Sequence, residues 1–371
     1  MKISPAATKK DLNDFINLPF KIYQSDPMWV PPLKNELRNQ FKPAKNPFLD
    51  HCEFKLFLLK ENGGVIGRIA AFIDTLANEY WRKSIGLFGY YECPPDKAAS
   101  KLLLDAARNW LHRQGMCAMR GPWSFVSQEW GAVVEGFEPQ PVIMAPYNPP
   151  YYIDQFDAYG FKKVKDLLVY VIDVRDGYQI PERILKLTDR VAQKYNIHVR
   201  QLNMKNYYSD VEKFIALSNQ SLINNWGYAP VTNEEAQVMA HDLKSILHEK
   251  AVIFAEDNNG RPIGFGIALP DVNQILKRIN GRLLPFGWLK LLLGLPKLTH
   301  YRMFALGVIP EYHGKAVDSL IYRALYESCI SPDVRMEINY VLEDNASMNN
   351  AIVKLGAKPL RRYRIFEMPI S

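Results

Sequence analysis

The residues best suited to chemistry lie in one run, Phe304-Ala305-Leu306-Gly307-Val308-Ile309-Pro310-Glu311-Tyr312-His313-Gly314-Lys315-Ala316-Val317-Asp318. An apolar stretch ends at a proline turn, a loop of small residues follows, and Val317–Ser328 then carries helical periodicity. Such a loop leaves several backbone N–H groups at the helix start without acceptors. With the positive end of the helix dipole they form an anion site fit for a pyrophosphate. The amides between Tyr312 and Val317 are therefore expected to converge on open space. Gly314 lets the backbone approach the anion, Ala316 keeps the helix start uncrowded, and His313 and Lys315 add positive charge. Other chemistries find no support. The seven histidines are scattered with no His-x-x-x-His pair, so no metal site is expected. The four cysteines match no zinc or redox spacing, and no Gly-x-Ser-x-Gly marks a hydrolase.

The elements that would position this loop recur in two copies. In the first half, residues 3–26 read as a strand and an amphipathic helix. Glu53–Lys60 and Gly64–Thr75 read as strands joined through Glu61-Asn62-Gly63-Gly64, a strong hairpin signal. A strand Gly86–Glu92, a helix Lys97–Gln114 ended by Gly115, a strand Met116–Gly121, a helix Tyr151–Tyr159 and a strand Leu167–Val174 follow. The second half repeats this order. A strand at His198–Leu202 is followed by helices at Tyr207–Asn224 and Glu234–His248, then by strands Ala251–Asp257 and Ile263–Leu269 around Asn258-Asn259-Gly260. Tyr301–Val308, the helix Val317–Ser328, the strand Arg335–Val341, the helix Asn345–Leu355 and the strand Tyr363–Met368 complete it. The fold class is α/β (α+β): two tandem domains, 1–175 and 176–371, each a mixed twisted sheet flanked by helices.

The loop and its surroundings resemble the acyl-CoA pyrophosphate loop of the GNAT N-acyltransferase superfamily. That family has an apolar strand, a Val-x-Pro turn, a Gln/Arg-x-x-Gly-x-Gly/Ala loop and a helix; this chain has Glu311-x-x-Gly314-x-Ala316. Asn345 with Asn349, Ala351 and Leu355-Gly356-Ala357-Lys358 resembles the family's later helix and turn. The resemblance covers residues 198–371 closely and the first half in layout, and the whole chain is similar to bacterial tandem GNAT proteins. It implies acetyl-CoA or a longer acyl-CoA as co-substrate. The strand before the loop would splay from its neighbour so that pantetheine pairs with Leu306 and Val308. The phosphates would rest on His313, Gly314, Lys315, Ala316, Val317 and Asp318, with Asn345 and Asn349 nearby.

By the same resemblance the Val308 N–H is the oxyanion donor. Glu343 and Asp344, which follow the strand Ile338–Leu342, are candidates for the base that takes the proton of an attacking amine, beside Glu256 and His300. Tyr340 is the phenol best placed to approach the thiol. Two departures stand out. Glu311 puts a carboxylate where glutamine or arginine is usual, and Ile352 aligns with the family's general-acid tyrosine. In the first half, Cys93-Pro94-Pro95-Asp96 occupies the loop position, and proline removes N–H donors, so that copy is read as lacking a cofactor site. Two alternatives stay open beside acyl transfer to an amine: a non-enzymatic acyl-CoA sensor, and a Fem-like transferase that uses aminoacyl-tRNA.

A net charge of +7 favours anionic partners, but no Lys/Arg run is dense enough for DNA. The stretch 282–298, Arg282-Leu283-Leu284-Pro285-Phe286-Gly287-Trp288-Leu289-Lys290-Leu291-Leu292-Leu293-Gly294-Leu295-Pro296-Lys297-Leu298, interrupts two strands that GNAT proteins join by a short turn. It is too broken by Pro and Gly to span a bilayer. A lid, a peripheral membrane contact and a dimer contact remain open for it, and the second would suit a hydrophobic amine acceptor. With no signal peptide and no membrane span, the chain is expected in the cytoplasm, peripheral to the membrane if 282–298 touches lipid.

Overall fold

The structure, a computed structural model, describes residues 1–126 and 129–370. The first half of the chain runs β1 (Lys2–Pro5), α1 (Lys9–Ile22), α2 (Lys34–Asn39), β2 (Cys52–Glu61), β3 (Gly64–Asp74), α3 (Thr75–Trp81), β4 (Ile85–Glu92), α4 (Lys97–Arg113), β5 (Ala118–Gly121), β6 (Ala132–Glu135), α5 (Tyr151–Tyr159) and β7 (Lys162–Asp173). The second half runs α6 (Glu182–Tyr195), β8 (His198–Gln201), α7 (Tyr207–Ser221), α8 (Asn233–Leu243), β9 (Val252–Glu256), β10 (Pro262–Pro270), α9 (Asn273–Ile279), α10 (Gly287–Gly294), β11 (His300–Val308), α11 (Val317–Cys329), β12 (Arg335–Leu342), α12 (Ala346–Lys354) and β13 (Lys358–Pro369). No described helix is long and apolar enough to cross a membrane.

The chain forms two compact units that do not follow the linear split at 175/176. The first holds Met1–Leu167, Ile275–Trp288 and the chain from Arg361 onward; the second holds Leu168–Gln274 and Leu289–Leu360. The strand expected to close the second copy thus belongs to the first unit. There Phe366 of β13 registers with Gly121 of β5, and Arg364 of β13 with Ala132 of β6. The cause is hydrophobic: Phe366 and Ile370 complete the core made by Phe88, Leu103, Met119, Phe156 and Phe161.

In the first unit β1, β2, β3 and β4 pair antiparallel in order, and β4 then pairs parallel with β5. The second unit repeats this sense, with β8, β9, β10 and β11 antiparallel and β11 parallel to β12. The expected hairpin at β2–β3 forms because Asn62 and Gly63 both take positive φ, 49° and 79°, as a two-residue turn matched to strand twist requires. In the second unit α11 lies against β10. A Cβ on Gly266 would stand 2.6 Å from Ile321, so only glycine lets that helix approach so closely.

Candidate functional site

β11 and β12 register over His300–Met303 and Arg335–Ile338, and beyond that no register joins them among the described residues. β11 continues along β10 to Val308, and its register slips between Ile267↔Ala305 and Ala268↔Met303, a bulge that leaves Phe304 extra. β12 runs on to Leu342. The strands therefore part after Met303, and the half-buried Leu306 and Val308 stand on the length of β11 whose second edge β12 has left.

The loop that follows is partly as expected. Gly314 has φ +74°, and a Cβ there would meet nothing within 4 Å, so the space beside it is open. Ala316, with φ 57°, starts α11, and among the described residues no side chain caps the helix. The amides of Gly314, Ala316, Val317 and Asp318 donate to no backbone acceptor among the described residues. The expectation for the whole of 312–317 needs correction. Tyr312 N–H donates to Ile309 O (3.0 Å), His313 N–H to Pro310 O (3.1 Å) and Lys315 N–H to Tyr312 O (3.3 Å), because the proline turn closes on itself.

The side chains sort similarly. The His313 ring nitrogen Nε2 sits 2.8 Å from the Val308 carbonyl and holds the strand's end. Lys315 lies 4.3 Å from the centre of the Tyr312 ring and 5.3 Å from that of Tyr195, which fixes its charge beside the loop. Glu311, the misfit of the motif, is exposed and turned to Arg261, with contacts of 3.1 and 3.3 Å. That pairing takes the carboxylate's charge away from the helix start.

At the far side of the opening, Asn345 Oδ1 accepts the Met348 N–H (3.1 Å) and so caps α12. Asn349 donates to Leu342 O (3.0 Å) and Glu343 O (3.4 Å) and accepts from the Tyr170 hydroxyl (3.0 Å). Both asparagines thus hold the β12–α12 turn, and Asn349 also ties it to Tyr170 of β7. The turn carries Glu343, half-buried, and Asp344, exposed. Tyr340 is half-buried, its ring centre 5.1 Å from the Arg302 guanidinium. His300, at the paired end of β11, is half-buried. Burial, with Arg175 and Arg335 close by, holds its pKa below the usual histidine value.

Sequence reasoning missed a polar cluster where the strands part. Arg302 is fully buried and registers with Glu337, itself buried and 3.3 Å from Arg335. One step past the last registered pair lies Asn339, 4 % exposed, with both side-chain amide atoms lacking a hydrogen-bond partner among the described residues. The signal was present as Arg335-Met336-Glu337-Ile338-Asn339, but polar residues at every second strand position ordinarily mark a solvated face.

The equivalent place in the first unit is filled. β4 and β5 register over Ile85–Leu87 and Ala118–Arg120, after which the Trp123 N–H donates to Phe88 O at 2.8 Å. A Cβ on Gly89 would sit 1.6 Å from the Trp123 carbonyl oxygen. The start of α4 is closed by the Asp96 carboxylate, which accepts from Ala98 N–H (2.7 Å) and Ala99 N–H (3.2 Å).

No family model matches the chain. It is 34% identical to "Protein YghO" of Escherichia coli strain K12 over 370 residues, 98% of this chain and 94% of that one. It is 31% identical to "Bacterial ceramide synthase" of Caulobacter vibrioides over 376 residues, 99% of this chain and 97% of that one. Among solved structures, a tandem GNAT protein from the clavulanic acid biosynthesis pathway, without AcCoA, superposes with TM-score 0.58 at 12% identity, over 100% of this chain and 98% of that one. A GNAT-type glucosamine N-acetyltransferase region of a fungal multi-domain β-N-acetylglucosaminidase gives TM-score 0.58 at 15% identity over 99% of this chain, which spans only 38% of that longer protein. With relatives of this identity along nearly its whole length, the chain belongs to one family with Protein YghO and the bacterial ceramide synthase, and its twice-repeated strand order is that of the tandem GNAT fold.

Proposed function

We propose that the second unit binds an acyl-CoA in the opening between β11 and β12 and transfers its acyl group to the amine of a long-chain acceptor. The observation that carries this reading is the open strand edge at Leu306 and Val308 leading into a helix start that no side chain caps. Gly314, Ala316, Val317 and Asp318 would form the phosphate cradle with their free amides at the positive end of α11, and Lys315 would add its side-chain cation beside them. The acceptor class rests on the relative called a ceramide synthase, a ceramide being an N-acylated long-chain amino alcohol.

In the reaction the amine nitrogen attacks the thioester carbonyl. The negative charge that develops on its oxygen would be met by the Val308 N–H, a donor that is fixed before reaction and needs no reorganisation. Glu343 or Asp344 accepts the proton the nitrogen sheds, and the C–S bond then breaks. Tyr340 or solvent returns a proton to the departing thiolate. Asn339, buried and without a partner, would donate to the acyl-CoA chain through Nδ2 and accept through Oδ1.

The test is release of free thiol from a saturated long-chain acyl-CoA on addition of a long-chain amino alcohol, with mass detection of the amide. Thiol release that tracks amide formation is expected. Tight acyl-CoA binding without release for any such amine would instead make the protein a sensor.

A further inference from the structure

A large exposed apolar surface lies on the segment that precedes β11. Leu284, Phe286, Trp288, Leu292 and Leu293 are each between 50% and 78% exposed. Trp288 and Leu292, like Leu289 and Leu293, are four residues apart on α10 and so share a face. A soluble surface rarely leaves so many large apolar groups adjacent unless something covers them.

The segment is held in shape. The Lys34 N–H donates to Gly281 O (3.4 Å), and a Cβ on Gly281 would strike Pro32 O at 2.3 Å. The Trp288 N–H donates to Leu283 O (2.8 Å), and its indole Nε1–H to Pro285 O (3.0 Å). With that donor already satisfied, the ring can enter hydrocarbon without leaving an N–H unpaired.

Its charge has one sign. Residues 275–298 contain Lys277, Arg278, Arg282, Lys290 and Lys297, and no Asp or Glu lies between Asp271 and Glu311. Arg282, Lys290 and Lys297, interspersed with the apolar residues along the segment, are exposed. A second copy docking face to face would set cation against cation, as a two-fold interface brings like residues together. An anionic bilayer satisfies both features at once, through hydrocarbon for the apolar groups and phosphates for the cations.

We propose that this segment is a membrane-docking surface. Leu284, Phe286, Trp288, Leu292 and Leu293 enter the boundary between headgroups and acyl chains of an anionic phospholipid bilayer, and Arg282, Lys290 and Lys297 bind headgroup phosphates. The surface goes beyond the acyl-transfer reading and is tested without the reaction. The intact protein is floated with vesicles of phosphatidylcholine plus phosphatidylglycerol, and with phosphatidylcholine alone. Two variants are compared, Phe286→Ser/Trp288→Ser/Leu292→Ser and Arg282→Glu/Lys290→Glu/Lys297→Glu, with melting curves to confirm folding. The native protein is expected to float with the anionic vesicles, and the serine variant roughly tenfold less or weaker still. The charge variant is expected to lose the preference for phosphatidylglycerol. The proposal is overturned if the native protein stays unbound at low salt or if the serine variant floats equally well. It is also overturned if sedimentation shows a dimer that the serine substitutions dissolve, which would make the face a self-interface.

Discussion

Gly314→Glu isolates the phosphate cradle from the fold. Its fold cost is set by the backbone: φ is +74°, and an L-residue in that region costs about 1–2 kcal/mol. No steric term adds to it, because a Cβ meets nothing within 4 Å. Gly314→Ala carries the same backbone cost without the charge and serves as the control. In the glutamate variant a carboxylate can come within about 5 Å of an anion at the start of α11. A like-charge pair at that distance costs from about 1 kcal/mol in water to about 3 kcal/mol at an effective dielectric constant of about 20. An intermediate value of about 2 kcal/mol weakens binding roughly 30-fold, and a diphosphate with more than one charge loses more. Isothermal calorimetry with CoA would show near-native affinity for the alanine variant and a loss of this size for the glutamate variant, both melting a few degrees low. Equal CoA affinity in two folded variants would refute the placement of the diphosphate at 314–318.

Asn339→Leu separates a ligand-binding amide from a structural one. Removing an unpartnered buried amide should leave stability unchanged or raise it by about 1 kcal/mol in urea melts, while kcat/KM for acyl-CoA falls roughly tenfold. A destabilised fold with native turnover would show the amide to be structural. Asp96→Ala should cost the first unit about 1 kcal/mol, because it frees the capped amides of α4, and should leave CoA binding as it was. For His300, the lowered pKa means that the neutral ring is favoured in the folded protein. Its contribution to stability is therefore fully present above the usual histidine value of about 6.5 and is lost as pH falls through the lower folded value. An NMR titration of the ring would detect this, and Arg335→Met should move the midpoint upward; a midpoint at or above the usual value rules the argument out.

Much of the architecture was legible because it rests on local rules. Asn62-Gly63 and Asn259-Gly260 announced two hairpins, and both form where expected. The helix at 97–114 could be read because Ala98, Leu102, Leu103, Ala106, Trp110 and Leu111 recur at helical spacing before Gly115; the face it buries is shifted slightly, to Leu103, Leu104, Ala107 and Leu111. Helix α6 was missed for the opposite reason. It buries Ile184, Thr188 and Val191 but is otherwise highly charged, so it reads as linker, and its place is fixed partly by Arg323 bonding Leu185 O and Thr188 Oγ1. The destination of β13 was illegible in principle. Tyr363, Ile365 and Phe366 say that the strand is buried, and nothing local says in which unit. The Arg302, Glu337 and Asn339 cluster was hidden likewise, since burial of alternating polar residues is decided by what packs over them.

The same strand order leaves a filled place in one unit and an opening in the other. Parting two parallel strands leaves unpaired backbone on each, and buried backbone of that kind must be satisfied by something. The first unit satisfies it internally: Trp123 bonds Phe88, and Asp96 supplies a carboxylate to the start of α4. The second unit has a small residue at two positions, Gly314 in the loop and Ala316 at the helix start, and turns the Glu311 carboxylate onto Arg261. Closing the helix end of the second opening needs what α4 already has, a side-chain acid at the helix start. Ala316→Asp should therefore raise the stability of the second unit in the absence of ligand and weaken CoA binding, two effects of opposite sign measured by melting and by calorimetry on one variant. If both moved in the same direction, the free amides of α11 would not be what holds the anion.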